Sequence, residues 1–87
     1  MKTLEAFRTV SEMTGLGAFR ALVLVLLHEQ GPLTHTQVME RLVAHGPTVT
    51  RAFQSLEDMG YIERVRNEED GRSSLAHLTS QAKGILS

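Results

Sequence analysis

Apolar residues recur with helical spacing through the first third of the chain. Over residues 3–13 they fall at every third position, so they share one side of an amphipathic helix. These positions are Leu4, Phe7, Val10 and Met13. Residues 18–30 (AFRALVLVLLHEQ) are apolar nearly all round, and their length, their leucine content and the following Gly31 favour a buried helix over a strand.

A short amphipathic helix is predicted to begin at Thr34. Thr34 and Gln37 have the spacing of a capping box, in which each side chain bonds the free backbone N–H of the other residue. The inner face of this helix is predicted to be Val38, Met39 and Leu42. A tight turn over residues 43–46 then leads into a further helix.

The next helix is predicted over residues 47–59. Pro47 suits the first helical position because its φ is fixed, with Gly46 as the cap, and Gly60 ends the helix in the left-handed conformation. The predicted inner stripe is Val49, Ala52, Phe53, Leu56 and Met59. The predicted outward side chains are Thr48, Thr50, Arg51, Gln54, Ser55 and Asp58.

A β-hairpin and a last helix complete the pattern. Residues 61–66 (YIERVR) and 74–78 (SLAHL) are β-prone, and the segment between them is charged and rich in turn residues. Leu33 adds a very short strand, and Thr79 caps a short helix that ends near Leu86. We therefore predict one mainly α domain over residues 1–87. Its order is helix, helix, short strand, helix, helix, β-hairpin wing, short helix, which is a winged helix-turn-helix.

Several stretches of the sequence resemble a single family. They are Gly31–Thr34, Val38–Leu42, Thr48–Arg51 and Leu56–Arg64, with Asp70-Gly71-Arg72 at the wing and Leu78-Thr79 at the next helix. Together, over about residues 31–82, they resemble the winged-helix core of the multiple-antibiotic-resistance regulator (MarR) family. The resemblance implies a transcriptional regulator, of repressor type, that binds double-stranded DNA as a homodimer. It extends neither to the long C-terminal helices that build the dimer in the family nor to the effector pocket beside them.

The helix predicted over residues 47–59 carries side chains suited to the major groove, where each base pair presents a distinct set of donors and acceptors. Arg51 can pair with a guanine edge and Gln54 with an adenine edge. Thr48 and Thr50 can reach a phosphate or touch a thymine methyl group. Pro47 can pack against the backbone or a thymine methyl group. The alternative is an ordinary solvated helix face.

The wing, residues 66–74, offers a second set of candidate contacts. Arg72 can enter a narrow minor groove, where the negative potential is enhanced. Asp70 can hold Arg72 by ion pairing, and Gly71 allows the tight turn. Phosphate contacts are predicted for Arg64, Arg66 and Thr36. A solvated turn and a solvated strand face are the alternatives.

The charge balance weakens the DNA prediction. The net charge is −1, whereas nucleic-acid modules usually carry a basic excess. Between residues 45 and 77 there are four arginines against six carboxylates, a local balance of −2. The carboxylates are Glu57, Asp58, Glu63, Glu68, Glu69 and Asp70. We therefore expect weak, salt-sensitive binding to random DNA, and a winged helix that binds another protein remains the rival function.

The first two helices carry more apolar surface than one small core uses. We predict that they form a homodimer through Leu4, Phe7, Val10, Val23, Leu24 and Leu27. Residues 1–30 would then form the dimerisation segment and residues 31–82 the DNA-binding core. The alternative is that the first and last helices cover this surface within one chain.

Catalytic, metal and membrane chemistry find no support in the sequence. There is no cysteine, the four histidines lack ligand spacing, and no phosphate-binding glycine loop or nucleophile elbow occurs. We expect neither an enzyme nor a metal or cofactor. The longest apolar run, over residues 21–27, is too short to span a bilayer, and the amphipathic N-terminal segment is not expected to act as a secretion signal. A cytoplasmic location is expected.

Overall fold

A computed structural model of the chain describes residues 17–69, 71 and 73–86. It contains four helices and three strands within those residues: α1 (Ala18–Gln30), β1 (Leu33–Thr34), α2 (His35–Leu42), α3 (Gly46–Asp58), β2 (Ile62–Arg66), β3 (Ser74–Leu78) and α4 (Ser80–Leu86). This order confirms the winged helix-turn-helix. The helix predicted over residues 3–13 lies outside the described residues.

α1 is the central element of the hydrophobic core. Its side chains are buried from Val23 to Leu27, and α3, β3 and α4 all pack against it. The core also takes Val38 from α2, Phe53 from α3 and Ile62 from β2. A helix that is apolar nearly all round is thus covered on several sides by its own chain, as its composition requires.

This packing corrects part of the dimer prediction. Val23, Leu24 and Leu27 are 0%, 1% and 2% exposed, so they offer no surface to a second copy in this arrangement. Their apolar character is accounted for by packing within the chain, in one core with the elements that follow. Leu4, Phe7 and Val10, which were predicted to complete the dimer interface, lie outside the described residues.

The helix-turn-helix follows its local signals closely. The capping box of α2 is present: the backbone N–H of Thr34 donates to Gln37 Oε1 at 2.9 Å, and the N–H of Gln37 donates to Thr34 Oγ1 at 3.2 Å. α2 ends at Leu42, and the next residue, Val43, adopts the left-handed conformation with a φ of 50° and is 91% exposed. β-Branched residues rarely adopt this conformation, so the sequence did not indicate it.

α3 differs from its prediction at both ends. It begins at Gly46 rather than at Pro47, with His45 as the N-cap residue and Pro47 in the first turn. It ends at Asp58, so Met59 lies beyond the helix and is 43% exposed, not part of the inner stripe. Gly60 has a φ of 81°, which confirms the left-handed turn predicted there.

The three strands form one antiparallel sheet in the order β1-β3-β2. In the hairpin, Arg64 pairs with Ala76 and Arg66 with Ser74, while Leu33 of β1 pairs with Ala76 from the other side. Because side chains alternate between the two faces of a sheet, Arg64 and Arg66 lie on the same face as the buried Ala76. This face packs on the helices, so both arginines lie on the helical side of the sheet.

Candidate nucleic-acid interface

α3 separates its polar and apolar side chains onto two faces. Its buried face consists of Val49, Ala52, Phe53 and Leu56, all at most 4% exposed. The predicted DNA contacts of this helix are exposed, namely Pro47, Thr48, Thr50, Arg51 and Gln54. Ser55, which was also predicted to face outward, is half-buried and accepts a hydrogen bond from Arg20 of α1. The other predicted contacts on this polar edge remain exposed, as a recognition helix requires.

A histidine from α2 organises the first turn of α3. His35 Nε2 lies 3.0 Å from the Gly46 carbonyl oxygen and 3.0 Å from Thr50 Oγ1. The Thr50 hydroxyl donates to the same carbonyl at 3.0 Å. Because a carbonyl only accepts, Nε2 carries the proton and donates it. The His35 ring also meets Phe53 edge-on, with ring centroids 6.0 Å apart.

This network engages the hydroxyl of Thr50 but not its methyl group. The hydroxyl donates to the Gly46 carbonyl and accepts from His35 Nε2, and both bonds lie at the exposed surface. Since the residue as a whole is exposed, its methyl group is the part that remains for a ligand. Thr48, two residues earlier, is also exposed, and its side chain has no hydrogen bond to other described residues.

The two groups predicted to read base edges differ in their availability. No hydrogen bond or ion pair within the described residues engages the exposed side chain of Arg51. Gln54 donates from Nε2 to Asp58 Oδ1 at 3.1 Å. Pairing with adenine needs both the amide nitrogen and the amide oxygen, so Gln54 must first break its hydrogen bond to Asp58.

Arg64 is directed onto α3. Its guanidinium carbon lies 5.4 Å from the centre of the Phe53 ring, and its Nε lies 3.8 Å from Glu57 Oε1. The guanidinium therefore makes a cation–π contact with Phe53 at the edge of the core and a loose ion pair with Glu57. A phosphate contact would have to compete with both interactions.

Arg66 belongs to the framework of the wing turn. Its Nε donates to the Gly71 carbonyl oxygen at 3.1 Å. Asn67 closes the turn with three hydrogen bonds. Its backbone N–H donates to the Ser73 carbonyl at 3.0 Å, and its carbonyl accepts from the Gly71 N–H at 2.7 Å. Its side-chain Oδ1 accepts from the Glu69 N–H at 3.2 Å. Gly71 has a φ of 53°, in agreement with its predicted role. Asp70 and Arg72 lie outside the described residues.

The remaining candidate and the residues that sequence reasoning missed complete the surface. Thr36 is exposed in the first turn of α2, beside the histidine network. Glu57, Asn67 and Arg20 were not singled out, although Glu57 pairs with Arg64 and Asn67 closes the wing turn. Asn67 carried a signal, since asparagine before a glycine-containing turn commonly bonds its own backbone. The other two depend on packing between distant segments.

Metal and membrane chemistry can be examined for the described part of the chain. There, no three histidine, cysteine, aspartate or glutamate side chains come together to hold a metal ion. None of the described helices combines the length and the apolar character needed to cross a membrane.

A helix-turn-helix joined to a β-hairpin, with an open polar edge on its second helix, defines the winged helix-turn-helix class. Within that class, the model of the MarR family matches residues 20–74. That span is more than half of the chain, and this protein belongs to the MarR family. The resemblance found in the sequence is thereby confirmed.

Curated relatives and solved structures agree with this assignment. The uncharacterized HTH-type transcriptional regulator YwoH of Bacillus subtilis is 38% identical over 72 residues, covering 83% of this chain and 52% of that protein. The organic hydroperoxide resistance transcriptional regulator of the same organism is 41% identical over 58 residues, covering 67% of this chain and 40% of the relative. These relatives are named as transcriptional regulators, not as enzymes. The chain spans about half the length of the curated relatives it matches.

Two crystal structures show how far the fold extends. Wild-type MarR of E. coli in its apo form superposes with a TM-score of 0.81 at 24% identity, covering 98% of this chain and 62% of that one. A MarR transcriptional regulator from Methanosarcina mazei Go1 gives a TM-score of 0.79 at 28% identity, with coverages of 95% and 59%. At 24% and 28% identity, these two structures support the assignment of the fold and not of a particular function.

Proposed function

We propose that this protein is a sequence-specific DNA-binding transcriptional regulator that inserts α3 into the major groove. Membership of the MarR family and the names of its relatives support the general class. In this arrangement the wing, residues 66–74, lies against the adjacent minor groove or its phosphates.

The observation that carries the proposal is the open polar edge of α3. A recognition helix needs one face fixed in the core and the other free of its own chain. Arg51 meets this need best, because it is exposed and unengaged among the described residues. A guanidinium in that position can bond both acceptors on a guanine edge, which discriminates by about 1–3 kcal/mol per base pair.

The charges explain why the proposed binding is specific rather than general. The region from residue 45 to residue 77 has a balance of −2, so the phosphate contribution to affinity is small. Base contacts and a second copy must then supply most of the free energy. Random DNA should bind weakly at physiological salt.

A homodimer that represses its target is the proposed working form. Two copies would place two α3 helices on half-sites one helical turn apart, matching a two-fold protein to a palindromic operator. Since the described part of α1 is occupied within the chain, the interface is proposed to use Leu4, Phe7 and Val10. Repression then follows from occupying the operator.

Selection of bound duplexes from a random DNA pool tests the proposal. We expect an enriched motif with two-fold symmetry, and we expect Arg51→Ala to lose the preference for one G·C pair per half-site. Arg41→Ala is the matched control, because Arg41 is exposed on α2 and bonds Gln30, away from the proposed groove. If the parent protein enriches no sequence, the rival function, contact with another protein, replaces this one.

A further inference from the structure

A second group of basic and hydroxyl side chains lies where the start of α1 meets α3. Arg20, in the first turn of α1, donates from a terminal guanidinium nitrogen to Ser55 Oγ of α3 at 2.8 Å. An open cavity of about 310 Å³ occurs at this junction. Its lining residues are Phe19, Arg20, Thr48, Arg51, Ala52 and Ser55. Polar side chains from two elements thus meet in one cleft.

The described side chains that line the cleft carry two positive charges and no negative charge. Arg20 and Arg51 both line it, and neither has a carboxylate within ion-pair distance among the described residues. The only bond recorded for Arg20 there is to a neutral hydroxyl. Two cations that share a cleft without a counter-charge create a local potential that attracts an anion. Guanidinium groups match a phosphate especially well, because their planar donors bond two oxygens at once.

The first turn of α1 adds to the same potential. α1 is 13 residues long, has no acidic residue in its first turn, and is preceded by Gly17, which has no side chain to cap the helix. The Arg20 guanidinium folds back over this end, since a Cβ at Gly17 would lie 3.5 Å from its second terminal nitrogen. Backbone N–H groups at a helix N-terminus favour anions, so the partial charge and the full charge coincide here.

We infer that Arg20 and Thr48 bind a phosphate of the DNA backbone beside the groove that α3 enters. Arg51, which is aimed at a base edge in the proposed function, adds its charge from the same cleft. The inference rests on the proposed function and extends it to a residue of α1. Inorganic phosphate offers the same chemistry, but the position of the cleft on the flank of α3 favours a phosphate of the bound duplex.

The salt dependence of DNA binding by the full chain tests the inference. Each phosphate contact contributes about 0.9 to the slope of log affinity against log salt concentration. Arg20→Gln removes the charge but keeps a donor for Ser55. It should lower the slope by about 0.9 and weaken binding by a similar factor for selected and unrelated duplexes. Arg20→Lys should keep the slope near that of the parent.

Two controls separate charge from structure. Ser55→Ala removes the hydrogen bond but leaves both guanidiniums, so the slope should stay unchanged. Circular dichroism on Arg20→Gln and Ser55→Ala checks that both remain folded, and Arg20→Met, which also removes the charge, replaces the glutamine variant if that variant does not fold. A slope that falls in the folded, uncharged variant and is kept in Arg20→Lys supports the inference. A slope that falls equally in both overturns it, because the lysine variant retains the charge.

Three further outcomes are decisive. If Arg20→Gln folds and keeps the parental slope while Arg51→Ala still weakens binding, Arg20 binds no phosphate and this inference alone fails. If the parent shows no DNA binding, the proposed function fails as well. If inorganic phosphate displaces the duplex from the parent more strongly than chloride at equal ionic strength, and Arg20→Gln removes that difference, the cleft is a site for the free anion and the backbone contact is overturned.

Discussion

The arginines beside α3 and the arginines of β2 have the same charge but different surroundings. Arg51 and Arg20 line an open cleft with no carboxylate partner among the described residues. Arg64 lies over the Phe53 ring and near Glu57, and Arg66 holds the Gly71 carbonyl of the wing. A cation already engaged by its own protein contributes less to a ligand, because the existing contact must be given up first.

The same contrast separates the two threonines of α3. The Thr48 side chain is exposed and makes no hydrogen bond to described residues, whereas the Thr50 hydroxyl is bonded to Gly46 and His35. The candidate DNA face is therefore a mixture of groups that can meet a ligand directly and groups that shape the surface. Substitutions can tell these two kinds apart, because the first kind changes binding and the second changes stability or local order.

The largest expected effect is a pair of opposite outcomes for Arg51 and Arg64. Arg51→Ala should weaken binding to a selected operator by about 1–3 kcal/mol, roughly 5- to 150-fold, and leave unfolding unchanged. Arg64→Ala should lower the free energy of unfolding by up to about 1 kcal/mol through loss of its cation–π contact and ion pair. Fluorescence anisotropy and thermal denaturation measure the two quantities.

Loss of stability in Arg51→Ala, with operator affinity retained, would remove the distinction between the two regions. Phe53→Leu provides a check on the second half of the prediction, because it keeps an apolar side chain and removes the ring. If Arg64 acts through that ring, its substitution should cost less in the Phe53→Leu background than in the parent.

A smaller effect is expected at the wing. Arg66→Lys keeps the charge and loses the Nε donor to Gly71, which is worth about 0.5–1.5 kcal/mol. The amide of Gly71, bonded to the Asn67 carbonyl at 2.7 Å, should then exchange its hydrogen several-fold faster. Amide exchange measured by NMR reports this directly. Unchanged protection of that amide would show that the bond contributes nothing to the order of the turn.

The comparison also shows what the sequence could predict. Local signals were sufficient for the capping box of Thr34 and Gln37, for the left-handed Gly60 and for the buried stripe of α3 up to Leu56. These features depend on neighbours within a few residues, so periodicity and cap chemistry define them. The exposed positions of Thr48 and Arg51 follow from the same helical period.

Contacts between distant segments could not be predicted in this way. Arg20 and Ser55 are 35 residues apart and meet only because α1 packs on α3. His35 and Thr50 are 15 residues apart, and their bond depends on the turn made by Val43 in a conformation that its side chain disfavours. The sequence therefore indicated which side chains are polar and outward, but not which of them were already bonded.

Thr50 gives the next test, because its hydroxyl is bonded within the chain whereas its methyl group is available to a ligand. Thr50→Ser removes that methyl and keeps the bonds to Gly46 and His35. It should weaken binding about fourfold where the methyl touches a thymine methyl, from about 0.8 kcal/mol per buried carbon group. Replacing that thymine by uracil should abolish the difference between serine and threonine.

Thr50→Val is the matched variant, since it keeps a methyl and loses the hydroxyl. It should still distinguish thymine from uracil in an operator titration. Suppose that Thr50→Val binds the thymine operator as weakly as the parent binds the uracil operator, and that Thr50→Ser binds like the parent. The hydroxyl then makes the contact, and the hydrogen bond to His35 does not persist on DNA.

The smallest expected effect comes from Glu57, the residue that forms an ion pair with Arg64. The pair is loose, at 3.8 Å, and its side chains are 32% and 39% exposed, so Glu57→Gln should change unfolding by only a few tenths of a kcal/mol. Binding should respond more than stability does. With its carboxylate partner gone, Arg64 can turn from α3 toward a phosphate, which would raise the salt slope by up to about 0.9.

Glu63→Gln separates this release from a simple change in net charge. Glu63 is exposed on the same strand, and its substitution removes the same negative charge without touching a described partner of Arg64. If both variants raise the salt slope equally, the gain reflects net charge, and Arg64 is no more engaged than Arg51. A rise confined to Glu57→Gln would mean that this intrachain carboxylate limits the contribution of Arg64 to DNA binding.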